Sequence, residues 1–207
     1  GLERFPVRLA KVQERLGANV SVLTHERAYI FEYARRLGVE AFGASSRIGM
    51  FTWLWGLREQ NLPLILQVNA NKDLPMAVLA KRLFFDKSLV RLVYRRGTRA
   101  TKPKKDPYHR GLFREVDLFI AVSRFLYDNI LMEYGVPSSR VVCLHNGVDP
   151  EWVCGDSQGQ KISLREELDI PRNAFVFGQV ANIGSGKCPD VFLKGAKSLL
   201  FRKPSDI

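Results

Sequence analysis

A glycine-bearing loop near the end of the chain has the clearest capacity for chemistry. The run Ala174 to Val180 predicts a strand, the loop 181–187 (Ala-Asn-Ile-Gly-Ser-Gly-Lys) follows it, and helical spacing resumes over 191–201. Backbone N–H groups of such a loop can turn toward a phosphate, and a helix dipole and a lysine charge add to the attraction. The predicted phosphate-binding residues are Asn182, Gly184, Gly186 and Lys187.

Two nucleotide-binding signatures compete for this loop, and neither is complete. A P-loop needs Gly, four further residues, Gly-Lys and then Ser or Thr, whereas Ala181 and Cys188 occupy the first and last of these positions. The dinucleotide fingerprint needs a third glycine where Pro189 stands. A degenerate P-loop nucleotide-binding protein is therefore retained as one alternative.

Apolar periodicity predicts a regular alternation of strands and helices ahead of this loop. Gly17 and Gly38 each end a helical pattern, and Asp73 and Ser123 are expected to cap the helices that follow them. Such alternation predicts the α/β class, with a Rossmann-like parallel sheet and helices on both faces. Strands are predicted over 18–24, 39–42, 62–68, 89–94, 116–122 and 141–144.

The ends of these strands select a second set of candidate residues. Ligands of open parallel sheets bind beyond the carboxyl ends of the strands, where this sequence places several polar side chains. Ser123 and Asn146 are also typical of helix caps and turns. The residues expected at this cleft are Gln67, Asn69, Arg95, Arg96, Ser123, His145 and Asn146.

The charge balance favours a polyanionic partner. Lys and Arg number 32 against 21 Asp and Glu, which gives a net charge of +11. Part of the excess lies between Arg91 and Lys105, mostly in the loop predicted over 95–106. With Tyr94 and Tyr108 nearby, a basic nucleic-acid-binding α/β module is a second alternative, and a solvated surface stretch is a third interpretation. Because no RNA- or DNA-binding signature accompanies the charge, no nucleic-acid partner is expected.

Cysteine usage and hydropathy bear on location. Three cysteines without a short-spaced pair indicate neither a disulfide framework nor a zinc site, and they fit a reducing, cytoplasmic compartment. The longest apolar runs fall short of the roughly 20 residues that span a bilayer.

The polar stretch 155–160 predicts a linker, so we expect one domain over 1–150 and the beginning of a second over 151–207.

Four segments in order resemble the retaining glycosyltransferases of family 4, which have the GT-B fold. They are the opening Gly1-Leu2-Glu3-Arg4 with its helix and the strand 17–24, the strand 116–123 ending in Ala-Val-Ser, the passage 134–149 ending in Asn-Gly-Val-Asp, and the stretch from 164 to Lys187. Five positions depart from the family pattern: Ala181-Asn182 stands for its Gly-Arg, Cys188 for its Gly, His145 for a common Pro, and Arg96 for its His.

The resemblance implies transfer of a sugar from a nucleotide-sugar, which is a co-substrate, with no bound cofactor or metal. The donor is expected on the second domain, where Lys187 matches the family's phosphate-binding lysine, and the acceptor on the first, near Gly1. A glycan or glycolipid acceptor of the cell envelope is expected, and Arg95 and Arg96 suit an acidic one. The family fold also needs a strand before Gly1 and more sequence after Ile207, so we expect a fragment with little activity alone.

A peripheral membrane contact is a further expectation. Phe51, Trp53, Trp55 and Leu57 share one predicted helix near basic residues, an arrangement that can rest on anionic lipid. The same aromatic residues would equally serve to cover the sheet.

Overall fold

The computed structural model describes residues 4–60, 62–148, 164–171, 173–181 and 187–200. The chain separates into two compact units, Gly1–Gly147 and Val148–Ile207.

The first unit alternates helices and strands from its start to its end. In order they are α1 Phe5–Arg15, β1 Ser21–His25, α2 Tyr29–Arg36, β2 Glu40–Ala44, α3 Arg47–Leu57, β3 Leu64–Val68, α4 Leu74–Phe84, β4 Val90–Arg96, α5 Pro107–Arg114, β5 Leu118–Ala121, α6 Arg124–Tyr134 and β6 Val141–Cys143. Single turns of 3₁₀ helix cover Arg58–Gln60, Asn71–Asp73 and Ser138–Arg140.

All described strand pairs are parallel, as the strand–helix alternation predicts. β1 pairs with β2, and β3, β4, β5 and β6 form a four-stranded sheet in chain order. The carboxyl ends of the four strands therefore meet along one edge. The predicted α/β class with a Rossmann-like parallel sheet is confirmed.

Three helices cover one face of the four-stranded sheet. The buried side chains of α4, α5 and α6 join those of β4 and β5 in one core, in which Leu92, Phe119 and Val116 are fully buried. The rings of Phe113 and Tyr134 stack with centroids 4.5 Å apart within it. Burial of each such side chain contributes about 1.5–3 kcal/mol, which fixes the helices against the strands. A smaller core of Val7, Ala10, Ala34 and Val39 joins α1 and α2.

Helix ends follow the predicted signals with one exception. Gly17 and Gly38 have φ of 87° and 66°, the left-handed region that glycine enters at little cost. Ser123 Oγ accepts a hydrogen bond from Leu126 N–H and so caps α6. Asp73 makes no side-chain cap bond to α4, so that prediction is wrong: with φ −96° and ψ −15°, Asp73 has helical rather than extended backbone angles.

The described part of the second unit contains two helices, α7 Leu164–Glu167 and α8 Pro189–Leu200. The strand predicted over Ala174–Val180 is not formed in the described residues. A strand needs a neighbour that completes its hydrogen-bond ladder, and no described segment pairs with this run. Its apolar side chains are correspondingly exposed, Phe175 at 81%.

A search of the described residues for a helix with the length and hydropathy of a bilayer span finds none.

Candidate functional site

Strand β4 carries two buried arginines to the carboxyl edge of the four-stranded sheet. Arg95 lies opposite Ile120 and Arg96 opposite Ala121 in the neighbouring strand β5. Each arginine is only 4% exposed, although Arg is among the residue types that are seldom fully buried without a partner. Successive side chains of a strand point to opposite faces, so the two guanidinium groups have different surroundings.

Arg95 is held by neutral groups. Its Nη2 donates a hydrogen bond of 2.5 Å to Oδ1 of Asn146, in the loop after β6. Its guanidinium carbon lies 3.8 Å from the ring centroid of Phe5, the first residue of α1, as in a cation–π contact. Burial lowers the pKa of Arg95 below its ordinary value, because a desolvated charge is destabilised. Among the residues that the structure describes, this cation is therefore held away from water without a balancing charge.

Arg96 is also bonded to neutral groups, but it uses both of its terminal nitrogens. Nη1 donates to Oδ1 of Asn71 at 2.5 Å and to the hydroxyl of Tyr94 at 3.2 Å, and Nη2 donates to the carbonyl of Thr98 at 2.9 Å. The Tyr94 hydroxyl donates to Asn71 as well. Burial, followed by the neighbouring hydroxyl of Tyr134, raises the pKa of Tyr94. Arg96 thus builds the interior rather than facing the cleft.

Positive charge accumulates around these two residues. No carboxylate lies within 4.0 Å of either guanidinium among the described ion pairs. Burial, and then the charge of Arg96, lowers the pKa of Lys104, with Asp106 acting in the opposite direction. A buried charge without a counterion is costly, so an anionic ligand at this edge would relieve a penalty that the fold carries.

The structure brings some of the predicted cleft residues together and leaves others apart. Arg95 meets Asn146, while Asn69 accepts a hydrogen bond of 3.1 Å from Nε2 of Gln67. The described hydrogen bond of the Ser123 hydroxyl is the helix cap. Nε2 of His145 lies 3.9 Å from Sγ of Cys143.

Two residues that matter here were missed by the sequence analysis. Asn71 anchors Arg96, and its only signal was its place in the loop after β3, two positions beyond the selected Asn69. Phe5 supports Arg95, but in the sequence it reads as a core residue of an amphipathic helix.

The predicted phosphate loop is described only at its two ends, Ala181 and Lys187. Lys187 is exposed, its carbonyl accepts a hydrogen bond of 2.9 Å from Nε2 of Gln179, and α8 begins two residues later. Cys188 has φ 45°, a left-handed conformation that favours glycine. Four predicted site residues lie outside the described residues: Gly1, Asn182, Gly184 and Gly186.

The residues that the structure describes contain no set of ligands for a metal centre. Within those ranges, no group of three or more His, Cys, Asp or Glu side chains is close enough to hold an ion.

Comparisons with known proteins agree on one family. Residues 1–152 match the family described as Glycosyltransferase Family 4. A curated relative, D-inositol 3-phosphate glycosyltransferase of Salinispora tropica, is 29% identical over 94 residues, which are 44% of this chain and 20% of the relative.

Solved structures support the same fold. A glycosyltransferase from Rickettsia africae superposes with a TM-score of 0.75 at 14% identity, over 97% of this chain and 54% of that one. Anabaena HepE in complex with UDP gives 0.70 at 17% identity, over 96% and 54%. The chain thus spans about half the length of these structures and a fifth of the curated relative.

Proposed function

Because the chain belongs to glycosyltransferase family 4, we propose that it takes part in transferring a sugar from a nucleotide-sugar to an acceptor, with retention of anomeric configuration. The first unit receives the acceptor and the second receives the donor. The family match and the solved neighbours support this assignment and give no support to a nucleic-acid-binding module or a degenerate P-loop protein.

On the donor side, the proposal assigns the diphosphate to the turn that carries Lys187. The bond between the sugar carbon and the diphosphate oxygen breaks, an acceptor hydroxyl oxygen bonds to that carbon on the same face, and the hydroxyl proton is released. An ammonium group near the leaving diphosphate stabilises the negative charge that develops there. The exposed position of Lys187 ahead of α8 is compatible with this role. The nucleotide-sugar is a co-substrate, and no further cofactor is proposed.

On the acceptor side, one observation carries the proposal: Arg95 is 4% exposed, lies at the carboxyl edge of the sheet, and has only neutral described partners. A phosphate or carboxylate on the acceptor would supply the missing counterion through charge-assisted hydrogen bonds. Arg95 is the better candidate of the two arginines, since the bonds of Arg96 to Asn71, Tyr94 and Thr98 are already made within the fold.

The acceptor class that fits this chemistry is a phosphorylated polyol or a phosphate-linked glycolipid of the cell envelope. The curated relative is named for an inositol phosphate, which supports a phosphate-bearing acceptor. Lipid-linked glycans carry the same group beside their first sugar, so both belong to one chemical class.

Titration of acceptor analogues into the whole chain tests this assignment. D-myo-inositol 3-phosphate should bind at least about tenfold more tightly than myo-inositol, because only the phosphate recruits Arg95. Arg95→Met should erase the difference, whereas Arg99→Met, which removes an exposed charge from the following loop, should preserve it. Equal affinities for the two compounds, or wild-type selectivity in Arg95→Met, would refute the acceptor assignment.

We also propose a cytoplasmic location with peripheral contact to anionic membrane through α3. Most of the aromatic residues predicted for this role are engaged: Phe51 packs on Phe84 at 4.5 Å, and Trp53 on Phe42 at 5.4 Å. Trp55 also packs edge-on against Phe84, with ring centroids 4.8 Å apart, but its side chain stays 48% exposed, with the Arg58 guanidinium 3.8 Å from its ring centroid. The proposal therefore narrows to the exposed part of Trp55 and to the exposed Ile48 two turns earlier.

Vesicle co-sedimentation separates this contact from simple charge attraction. Trp55→Ser should lower binding to vesicles containing phosphatidylserine several-fold, because the indole is the group suited to the interface. Tyr108→Ser, which removes an exposed aromatic residue elsewhere, should not. Equal binding of both variants would exclude α3 as the contact.

A further inference from the structure

A basic pocket lies beside α5 and the end of α6, on the first unit. It has a volume of about 270 Å³. Four cationic residues line it, Lys105, Arg110, Arg114 and Arg140, and none of the lining residues carries a carboxylate. The remaining lining residues include the stacked pair Phe113 and Tyr134.

The free carbonyls at the carboxyl end of a helix attract cations. They account for the position of one of the four cationic residues, Arg140. Arg140 Nη1 donates to the carbonyls of Phe113 at 3.1 Å and Arg114 at 3.4 Å, the last two residues of α5, and to that of Val116 at 3.1 Å just beyond it. Within the described part of the chain, no carboxylate lies within 4.0 Å of the other three cations. Their charge is therefore available to a ligand.

Of the acidic side chains nearest in sequence, Glu133 makes no described ion pair, and three others are already engaged. Asp106 accepts the N–H of His109 and contacts its ring nitrogen. Glu115 pairs with Arg82 at 2.8 Å, and Asp117 pairs with Lys81 at 2.5 Å. These contacts leave the pocket's positive charge without an internal counterion among the described residues.

The backbone at the end of α6 holds part of the wall in place. Gly135 ends the helix with φ 62°, and a Cβ added there would lie 3.5 Å from Cε of Lys105. The Lys105 stem therefore lies against the backbone of Gly135, while Arg140 is fixed by three carbonyls. Arg140 is thus positioned before any ligand arrives, which lowers the ordering entropy that binding must overcome.

We propose that this pocket is a phosphate-binding site for a small polyanion bearing two neighbouring phosphate groups, and that it is independent of Arg95 and Lys187. Arg110 and Arg114 lie one helical turn apart in α5 and so present two guanidinium groups on one side. Forked guanidinium donors suit phosphate oxygens. A bound polyanion would join α5 to the segment after α6 and stabilise the folded unit by mass action.

Calorimetric titration of inorganic pyrophosphate into the whole chain tests the proposal. An Arg95→Met/Lys187→Ala background removes the other proposed anion sites, and ionic strength is held constant. We expect saturable binding to one site, weakened about tenfold by Arg110→Gln/Arg114→Gln, since two charge-assisted contacts are lost. Arg27→Gln/Arg36→Gln removes the same charge from exposed positions around α2 and should leave the affinity unchanged.

A thermal melt gives an independent readout in the same three proteins, the background and the two double variants made in it. Pyrophosphate should raise the melting temperature of the background and of Arg27→Gln/Arg36→Gln, but not that of Arg110→Gln/Arg114→Gln. Equal loss of affinity in both double variants, or heat that grows without saturation, would show diffuse charge attraction only and overturn the proposal. Circular dichroism of each variant shows whether it is folded.

Discussion

The guanidinium of Arg95 donates to the side-chain oxygen of Asn146, 51 residues further along the chain. This bond joins the end of β4 to the loop after β6, at the edge where parallel sheets bind their ligands. It gives a buried cation a neutral partner in place of a counterion. A buried charge held in this way is suited to binding an anionic ligand but does not stabilise the fold. A ligand-binding role and a structural role therefore predict opposite effects of removing Arg95 on the free energy of unfolding.

Arg95→Met should not lower the free energy of unfolding, and should raise it by up to about 1 kcal/mol. The substitution removes a desolvated charge, and the thioether can still pack against Phe5. Asn146 is exposed, so water can replace its lost hydrogen bond. Urea denaturation of the variant measures the change. A loss above about 1 kcal/mol would instead make Arg95 a structural brace.

The ion pair between the buried Lys81 and the partly exposed Asp117 should stabilise the first unit. Lys81 Nζ is 2.5 Å from Asp117 Oδ2 and 2.8 Å from the Glu115 carbonyl, which ties α4 to the start of β5. Asp117→Ala should cost about 2 kcal/mol, because it leaves the ammonium buried without its carboxylate. Lys81→Met/Asp117→Ala should cost less than the single variant. Chemical denaturation of the three proteins measures both values, and a double variant worse than Asp117→Ala would contradict the coupling.

Acid should weaken the fold partly through the same carboxylate. Burial alone would raise the pKa of Asp117, but the Leu92 N–H and the Lys81 ammonium hold it below the ordinary value. A lowered folded-state pKa contributes stability above the unfolded pKa of about 3.9, and this contribution is lost as the pH falls through the folded value. Asp117→Asn should therefore lose less stability than the wild type between about pH 5 and 2. The free energy of unfolding of both proteins is measured by urea denaturation across that pH range. If it falls by the same amount in Asp117→Asn and in the wild type, this role of Asp117 is excluded.

Cys188→Gly should stabilise the second unit by about 1 kcal/mol. Cys188 has φ 45°, where a side chain is strained and glycine is not. Cys188→Ala keeps the strain while removing the thiol, so it is the matched control and should show no gain. Thermal unfolding of the three proteins measures the difference. Equal melting temperatures for the Gly and Ala variants would mean that the backbone is not strained at this position.

The sequence predicts those features of the fold that local chemistry controls. Gly17 and Gly38 end their helices as expected. The strand–helix alternation predicts the parallel sheet because each strand or helix is signalled by a few consecutive residues. Asp73 fails as a cap because the preceding 3₁₀ turn, which sequence periodicity does not reveal, determines its backbone angles. The run 174–180 has the composition of a strand but pairs with no strand among the described residues, so composition alone does not form one.

The candidate site was predictable as a place but not as a set of contacts. Arg95 and Asn146 were both selected because they follow strands, yet their hydrogen bond depends on the register of β4 and β6 in the sheet. The capture of Arg96 by Asn71 and Tyr94 depends on side-chain directions across two strands. Such contacts arise from tertiary packing, and no local pattern encodes them.

Binding of nucleoside diphosphates tests the central proposal, that this chain binds the diphosphate of a nucleotide-sugar at the turn carrying Lys187. Calorimetry with UDP, GDP, ADP and dTDP should reveal saturable binding of at least one. Lys187→Ala should weaken that binding about tenfold or more, because the variant lacks the ammonium group proposed to contact the diphosphate. Lys194→Ala, an exposed lysine in α8, should have little effect. If none of the four nucleotides binds, or if the two variants bind alike, the donor-side assignment is contradicted.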